Sequence, residues 1–274
     1  MEHSDRHDTR GDAQADHEVF HKIGSPAGIA TEIAGLGWLA SVTDGAAVAH
    51  LVDHGREWLM THRLKHGNPS IEDAAEFGSR LACTHAAGAP HWGAPPPGLS
   101  ELDSRLAELP APVSVRPRWR TWGEFYAEAR LRPYLRLAEV PREARGVLNR
   151  AIDQVATGSF DSPQPALVKG VARIHGDLWG GNIVWAARDG RTTGTLIDPS
   201  AHGGHAETDL AELAIFGVPH LEAILDGYQQ VSPLADGWKD RVAVHQFHMV
   251  LVHAALSSGS YVQQALGLAR RLSR

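Results

Sequence analysis

Apolar residues recur along this chain with two different periods, and the changes of period mark its elements. Residues 1–18 are polar and show neither period, so a disordered arm is predicted there. Val19-Phe20-His21-Lys22-Ile23 reads as a strand, Gly24-Ser25-Pro26 breaks it, and Ile29, Ile33, Leu36 and Ala40 then share one helical face. Val48-Ala49-His50-Leu51-Val52 reads as a second strand. Ser70 with Asp73 three residues later is a capping signature, and Ala74, Phe77, Gly78, Leu81, Ala82 and His85 follow on one face. From Gly88 to Pro117, with Pro95-Pro96-Pro97, the composition predicts a long surface loop. Asn182-Ile183-Val184-Trp185 and Thr195-Leu196-Ile197 are short β-type runs flanking Arg188-Asp189-Gly190, which predicts a hairpin. Helical periodicity returns at approximately 121–138, 142–157, 207–217, 219–230, 239–258 and 260–273. No internal repeat is visible.

Composition narrows the class. With 274 residues, 43% hydrophobic and 21% charged, the chain can bury a large core in one or two domains. A net charge of −6 with no basic stripe argues against nucleic acid as a partner. No apolar run approaches the length of a membrane span and the start carries no hydrophobic signal segment, so a cytoplasmic location with no membrane partner is expected. The single Cys83 excludes an intramolecular disulfide. Seventeen histidines are present, but none has a recognised zinc spacing.

The chemistry is concentrated in His175-Gly176-Asp177-Leu178-Trp179-Gly180-Gly181-Asn182 and in Leu196-Ile197-Asp198. Phosphoryl transfer needs a base beside the attacking hydroxyl and oxygen ligands for Mg²⁺, arranged in kinase-type sites as an Asp, an Asn five residues on and a later Asp. Asp177, Asn182 and Asp198 fit that order, and the predicted hairpin brings Asn182 and Asp198 together as Mg²⁺ ligands. His175 is expected to brace the loop carrying Asp177 rather than to act as acid or base, and with Trp179 it marks the substrate side. Lys22 on a strand and Glu32 on the next helix form the pair that orients a lysine toward ATP phosphates. Residues 56–60 are expected to connect a small lobe to a larger one, with Glu57 and Leu59 beside adenine. The predicted organisation is thus an arm over 1–18, a nucleotide-binding lobe over 19–57, a hinge at 58–61, and a helical catalytic and substrate-binding lobe over 62–274.

Several segments together carry a family resemblance. The run HGDLWGGN, Leu196-Ile197-Asp198-Pro199, His205-Ala206-Glu207-Thr208-Asp209-Leu210-Ala211-Glu212-Leu213, and Trp122-Gly123-Glu124-Phe125-Tyr126 with Arg130-Leu131 resemble the fructosamine kinases. The likeness runs from about Val19 to the C-terminus and goes beyond the catalytic motif shared with aminoglycoside phosphotransferases and choline kinases. It implies an α+β, protein-kinase-like fold of two lobes that uses ATP and Mg²⁺ to phosphorylate a sugar hydroxyl of a ketosamine or glycated lysine, a step associated with deglycation. Asp177 is then the base, Asn182 and Asp198 the metal ligands, and Lys22, oriented by Glu32, the phosphate holder. Trp179 is expected to wall the sugar site, and Glu207 and Asp209 to brace the catalytic lobe from a helix start. Where the family carries a glycine-containing strand-turn-strand over the phosphates, residues 1–18 hold only Gly11, so an abbreviated lobe or a different start is expected. Two other readings stand beside this one: an aminoglycoside or amino-alcohol phosphotransferase, and a nucleotide-binding pseudokinase.

Overall fold

The computed structural model describes residues 19–188, 190–257 and 259–272. The predicted arm over 1–18 and the Asp189 turn position lie outside them. A small sheet-rich N-terminal region is followed by a larger, mostly helical one.

The first sheet is antiparallel in the order β1-β4-β3, from β1 (Val19–Ile23), β3 (Leu51–His54) and β4 (Trp58–His62). Helix α1 (Pro26–Ala40) packs beside it. Ser25 accepts from the Gly28 N–H and Pro26 occupies the first turn, so the predicted break is also the helix start. The expected strand over 48–52 is in fact two: β2 (Ala47–Val48) leaves the first sheet and runs parallel to Thr195–Leu196, while β3 stays.

The hinge expected at 58–61 is also corrected. These residues form β4, in which Leu59 lies opposite Lys22. Leu59 and Thr61 are buried while their neighbours are less so, the alternation of a strand with one covered face. The chain leaves this sheet only after His62.

In the helical region, α2 (Ile71–Ala86) begins with the predicted capping box between Ser70 and Asp73. It packs on α7 (Leu221–Val231) with backbones in contact. A Cβ on Gly78 would lie 1.9 Å from the Ile224 carbonyl oxygen, and one on Gly227 would lie 2.0 Å from that of Ala75. The main core gathers α3 (Trp122–Phe125), α4 (Arg132–Leu137), α5 (Arg142–Ala156), α8 (Trp238–Leu256) and α9 (Ser260–Leu272). A π-helical turn, Tyr126–Leu131, joins α3 to α4 and buries Tyr126, whose hydroxyl lies 2.6 Å from the His245 carbonyl and 2.9 Å from that of Val244 on α8 and donates to one of them at a time.

The catalytic motif sits between short strands. β8 (Ile183–Arg188) and β9 (Arg191–Leu196) form the predicted hairpin. β7 (Ala172–Ile174) and β10 (His202–Gly204), which the periodicity does not predict, pair antiparallel and bring the residues before Asp177 next to those after Asp198. The 88–117 segment is not all loop: Arg105–Leu106 (β5) and Leu109–Pro110 (β6) make a tight hairpin with Ala107 at φ 50°. Helix α6 (Ala206–Leu213) lies beneath the catalytic loop. Among the described residues no helix is long and apolar enough to cross a membrane.

Candidate active site

The catalytic loop is held from below. Asp209, fully buried on α6, accepts the backbone N–H groups of His175 at 2.7 Å and Gly176 at 2.9 Å, and Glu212 accepts that of Leu178 at 2.9 Å. His85 contacts the same Asp209 carboxylate at 3.1 Å; burial would raise Asp209, but this contact and the N–H groups it accepts keep it below the usual carboxylate range. Gly176 needs its glycine: φ is 77°, and a Cβ would meet the Ser200 carbonyl oxygen at 2.4 Å. The double glycine has a similar cause. A side chain on Gly181 would strike the Trp179 indole, and one on Gly180 the Gly217 carbonyl.

Above this support Asn182 donates its side-chain amide to the main-chain oxygen of Asp177 at 2.8 Å and to the Asp177 carboxylate at 3.0 Å. Burial pushes the Asp177 carboxyl up to about 8, against the lowering effect of the Asn182 hydrogen bond. The Ile197 N–H donates to the Asn182 carbonyl at 3.1 Å, so Asn182 and Asp198 stand side by side as the hairpin predicts. Asp198 takes the left-handed conformation, φ 53°. His175 Nε2 donates to the Ile197 carbonyl at 2.9 Å, and its Nδ1 accepts from the Asp177 N–H at 3.3 Å. One imidazole thereby ties the Asp177 loop to the Asp198 turn.

Lys22, on β1, reaches two carboxylates: Glu32 of α1 at 2.7 Å and Asp198 at 2.8 Å. Burial alone would lower the lysine, but the two negative partners outweigh it and raise its pKa. Burial opposes the charge of Asp198 too, yet the Lys22 ammonium holds that carboxyl below its ordinary range. Glu32 moves the other way, pushed up to about 7 by burial and by the neighbouring Asp198 charge.

Lys22, Glu32, Asp177, Trp179, Asn182 and Asp198 all line one cavity of about 430 Å³, a size suited to a small ligand. Trp179 is 37% exposed and stands edge-on to Phe216 at 5.8 Å, so it both walls the cavity and anchors its loop. Three expected site residues are not brought in. His175 is 1% exposed, donates to the Ile197 carbonyl and does not line the cavity, a placement that suits a brace. Leu59 is buried in the sheet, paired with Lys22, and Glu57 is an exposed turn residue whose carbonyl accepts from Gly24 N–H. Neither lines the cavity, because the β-strand extends through the positions expected to be the hinge.

Sequence reasoning missed two walls. One is the β5–β6 hairpin, with Arg105, Leu106, Ala107 and Glu108, whose turn lacks a glycine or asparagine signal. The other is Met249, Val252, His253 and Leu256 on α8. Their i, i+3, i+4, i+7 spacing is visible in the sequence but is indistinguishable there from a core stripe.

A second cluster of metal-ligand type, His205, Glu207 and His245, is buried beneath α6. Arg241 already forks onto both Glu207 oxygens at 2.6 and 2.8 Å and supplies the positive charge a cation would bring. The cluster is therefore a buried ion-pair network.

Residues 12–274 match the fructosamine kinase family. A Synechocystis protein described as a probable ketoamine kinase is 31% identical over 232 residues, covering 83% of this chain and 71% of the relative. The crystal structure of a protein from Thermobifida fusca described as a "putative fructosamine-3-kinase" superposes with a TM-score of 0.80 at 34% identity, covering 93% of this chain and 85% of that one. An ADP-bound aminoglycoside phosphotransferase shares the fold alone, with a TM-score of 0.59 at 11% identity over 94% of this chain and 88% of that one. By motif, by fold and by similarity along nearly its whole length, this chain belongs to the fructosamine kinase family.

Proposed function

We propose that this protein transfers the γ-phosphoryl group of ATP to a sugar hydroxyl of a ketosamine, the adduct of a sugar with an amine. The observation that carries this reading is the sharing of one cavity by the Asp177–Asn182 pair and the Lys22–Glu32–Asp198 cluster. The relatives' descriptions as ketoamine and fructosamine-3-kinases support the substrate class.

Asp177 is the base. It takes the proton of the acceptor hydroxyl as that oxygen forms its bond to the γ-phosphorus and the bond to the β,γ-bridging oxygen breaks, which leaves ADP. The Asn182 amide aims the Asp177 carboxylate, and burial raises its affinity for the proton it takes. Lys22 binds the phosphates, and Glu32 keeps it directed once Asp198 turns to a cation. Asn182 and Asp198 offer an amide oxygen and a carboxylate, hard donors that fit Mg²⁺. The ion, when bound there, neutralises charge on the β- and γ-phosphate oxygens.

The test is phosphorylation of ribose-, erythrulose- and fructose-derived ketosamines, alongside aminoglycosides, with ATP and Mg²⁺ and with Asp177→Asn as control. A ketosamine is expected to be phosphorylated, with the variant slower by at least about 10²-fold. Phosphorylation of aminoglycosides alone, or an Asp177→Asn protein as fast as the parent, would overturn the assignment.

A further inference from the structure

Thr31 precedes Glu32 on α1 and is 3% exposed. Its hydroxyl lies 2.7 Å from the Asp103 carbonyl and 2.8 Å from that of Ala27, and it accepts the Arg105 N–H at 3.1 Å. A hydroxyl has one proton, so it serves one carbonyl at a time. The Ala27 contact is the usual back-bond of a helical threonine, whereas Asp103 and Arg105 belong to another segment, the approach to the β5–β6 hairpin.

The main chain of Arg105 is engaged from its other side as well. Its carbonyl accepts the Ser200 hydroxyl at 2.7 Å. Ser200 is 6% exposed and stands two residues after Asp198. Between them Pro199 lies directly on α1, where a Cβ at Gly35 would sit 2.7 Å from its ring. One residue of a distant hairpin thus joins the helix carrying Glu32 to the turn carrying Asp198, the two acids that share Lys22.

We infer that Thr31 and Ser200 are positioning residues: through the N–H and C=O of Arg105 they set the spacing of Glu32 and Asp198 around Lys22 and so preform the phosphate side of the cavity. The inference rests on reading this cavity as the nucleotide site. In that reading Glu32 and Asp198 sit on different elements, and an ammonium bonded to both at under 3 Å tolerates little change in their separation.

The full chain is compared with Thr31→Val, Thr31→Ser, Ser200→Ala and Thr31→Val/Ser200→Ala by calorimetric titration with Mg·ATP and by urea unfolding. Thr31→Val and Ser200→Ala are each expected to weaken Mg·ATP about three- to tenfold, the loss of roughly one hydrogen bond's net contribution. Thr31→Ser is expected to bind within about twofold of the parent, and the double variant to lose less than the product of the single losses, because both bonds act through one residue. A Thr31→Val protein that loses stability but binds Mg·ATP like the parent would show a purely structural tie. Failure of serine to restore binding, or losses that simply multiply, would overturn the inference equally. If Thr31→Val does not fold, Ser200→Ala carries the same comparison. A parent that binds Mg·ATP but phosphorylates no ketosamine would sink the proposed function while leaving this test intact.

Discussion

Lys22 and Asp198 are 176 residues apart in the chain and 2.8 Å apart in space, and the same ammonium also holds Glu32 at 2.7 Å. Sharing one cation keeps two acids together in a partly buried site where their charges would otherwise repel.

Removing that cation leaves the two acids facing each other. Lys22→Met is expected to weaken Mg·ATP at least tenfold, since truncating one partner of a buried charge pair costs about 2–5 kcal/mol. Titration calorimetry checks this; binding equal to the parent's would mean that Lys22 serves only the apo arrangement.

His175 joins two catalytic segments through a single ring, donating to Ile197 and accepting from Asp177. His175→Ala leaves a cavity and an unpaired buried carbonyl, so a loss of about 2–4 kcal/mol in unfolding free energy is expected. The kcat should fall as well. Urea denaturation and steady-state rates read the two effects separately, and an unchanged kcat in a folded variant would refute the bracing role.

Glu207 and Arg241 form a fork beneath α6, with Glu207 4% exposed. Burial would raise the Glu207 carboxyl, but the Arg241 fork and the nearby His245 ring outweigh it and keep it at about 2. Arg241→Met leaves that charge unpaired and is expected to cost about 3–5 kcal/mol. Adding Glu207→Gln should recover part of the loss. If the single variant unfolds at the parent's urea midpoint, the pair is not a structural tie.

Two buried histidines should each contribute a loss of stability with acid over a defined window. Burial drives His205 and His248 down to about 3, whereas in the unfolded chain each titrates near 6.5. Between those values the unfolded state binds more protons, so stability rises with pH, by up to about 1.4 kcal/mol per pH unit for each histidine. Above about pH 6.5 both forms are neutral and the effect ends. Asp177 and Glu32, raised to about 8 and about 7, shift in the opposite sense over the same range, so the ring's effect is read as the difference between the parent and His248→Gln. From pH 7.5 to 4.5 the parent's urea midpoint should fall relative to the variant's below 6.5 and run parallel to it above; parallel profiles throughout would mean that the ring is protonated in the fold.

Much of the site was legible because it is local. Asp177 and Asn182 are five residues apart on one loop, Asn182 and Asp198 sit at the ends of a hairpin with a strong turn signal, and the strand-break-helix pattern set Lys22 and Glu32 on consecutive elements. What was misread or missed depends on partners far along the chain. Residues 58–61 look like a connector until β1 and β3 are seen on either side of them. β7 and β10 are three residues each and exist only as a pair. The α8 stripe of Met249, Val252 and Leu256 has the same spacing whether it meets a core or a cavity. By itself, then, the sequence determined the Asp177 loop, the neighbouring placement of Asn182 and Asp198 and the helical order, because caps, turns and periodicity act over a few residues. Only the tertiary structure decided that Lys22 meets Asp198, that Arg105 joins α1 to Ser200, and that Leu59 faces the sheet. Those contacts depend on long-range packing and hydrogen bonding, whose partners no local pattern names.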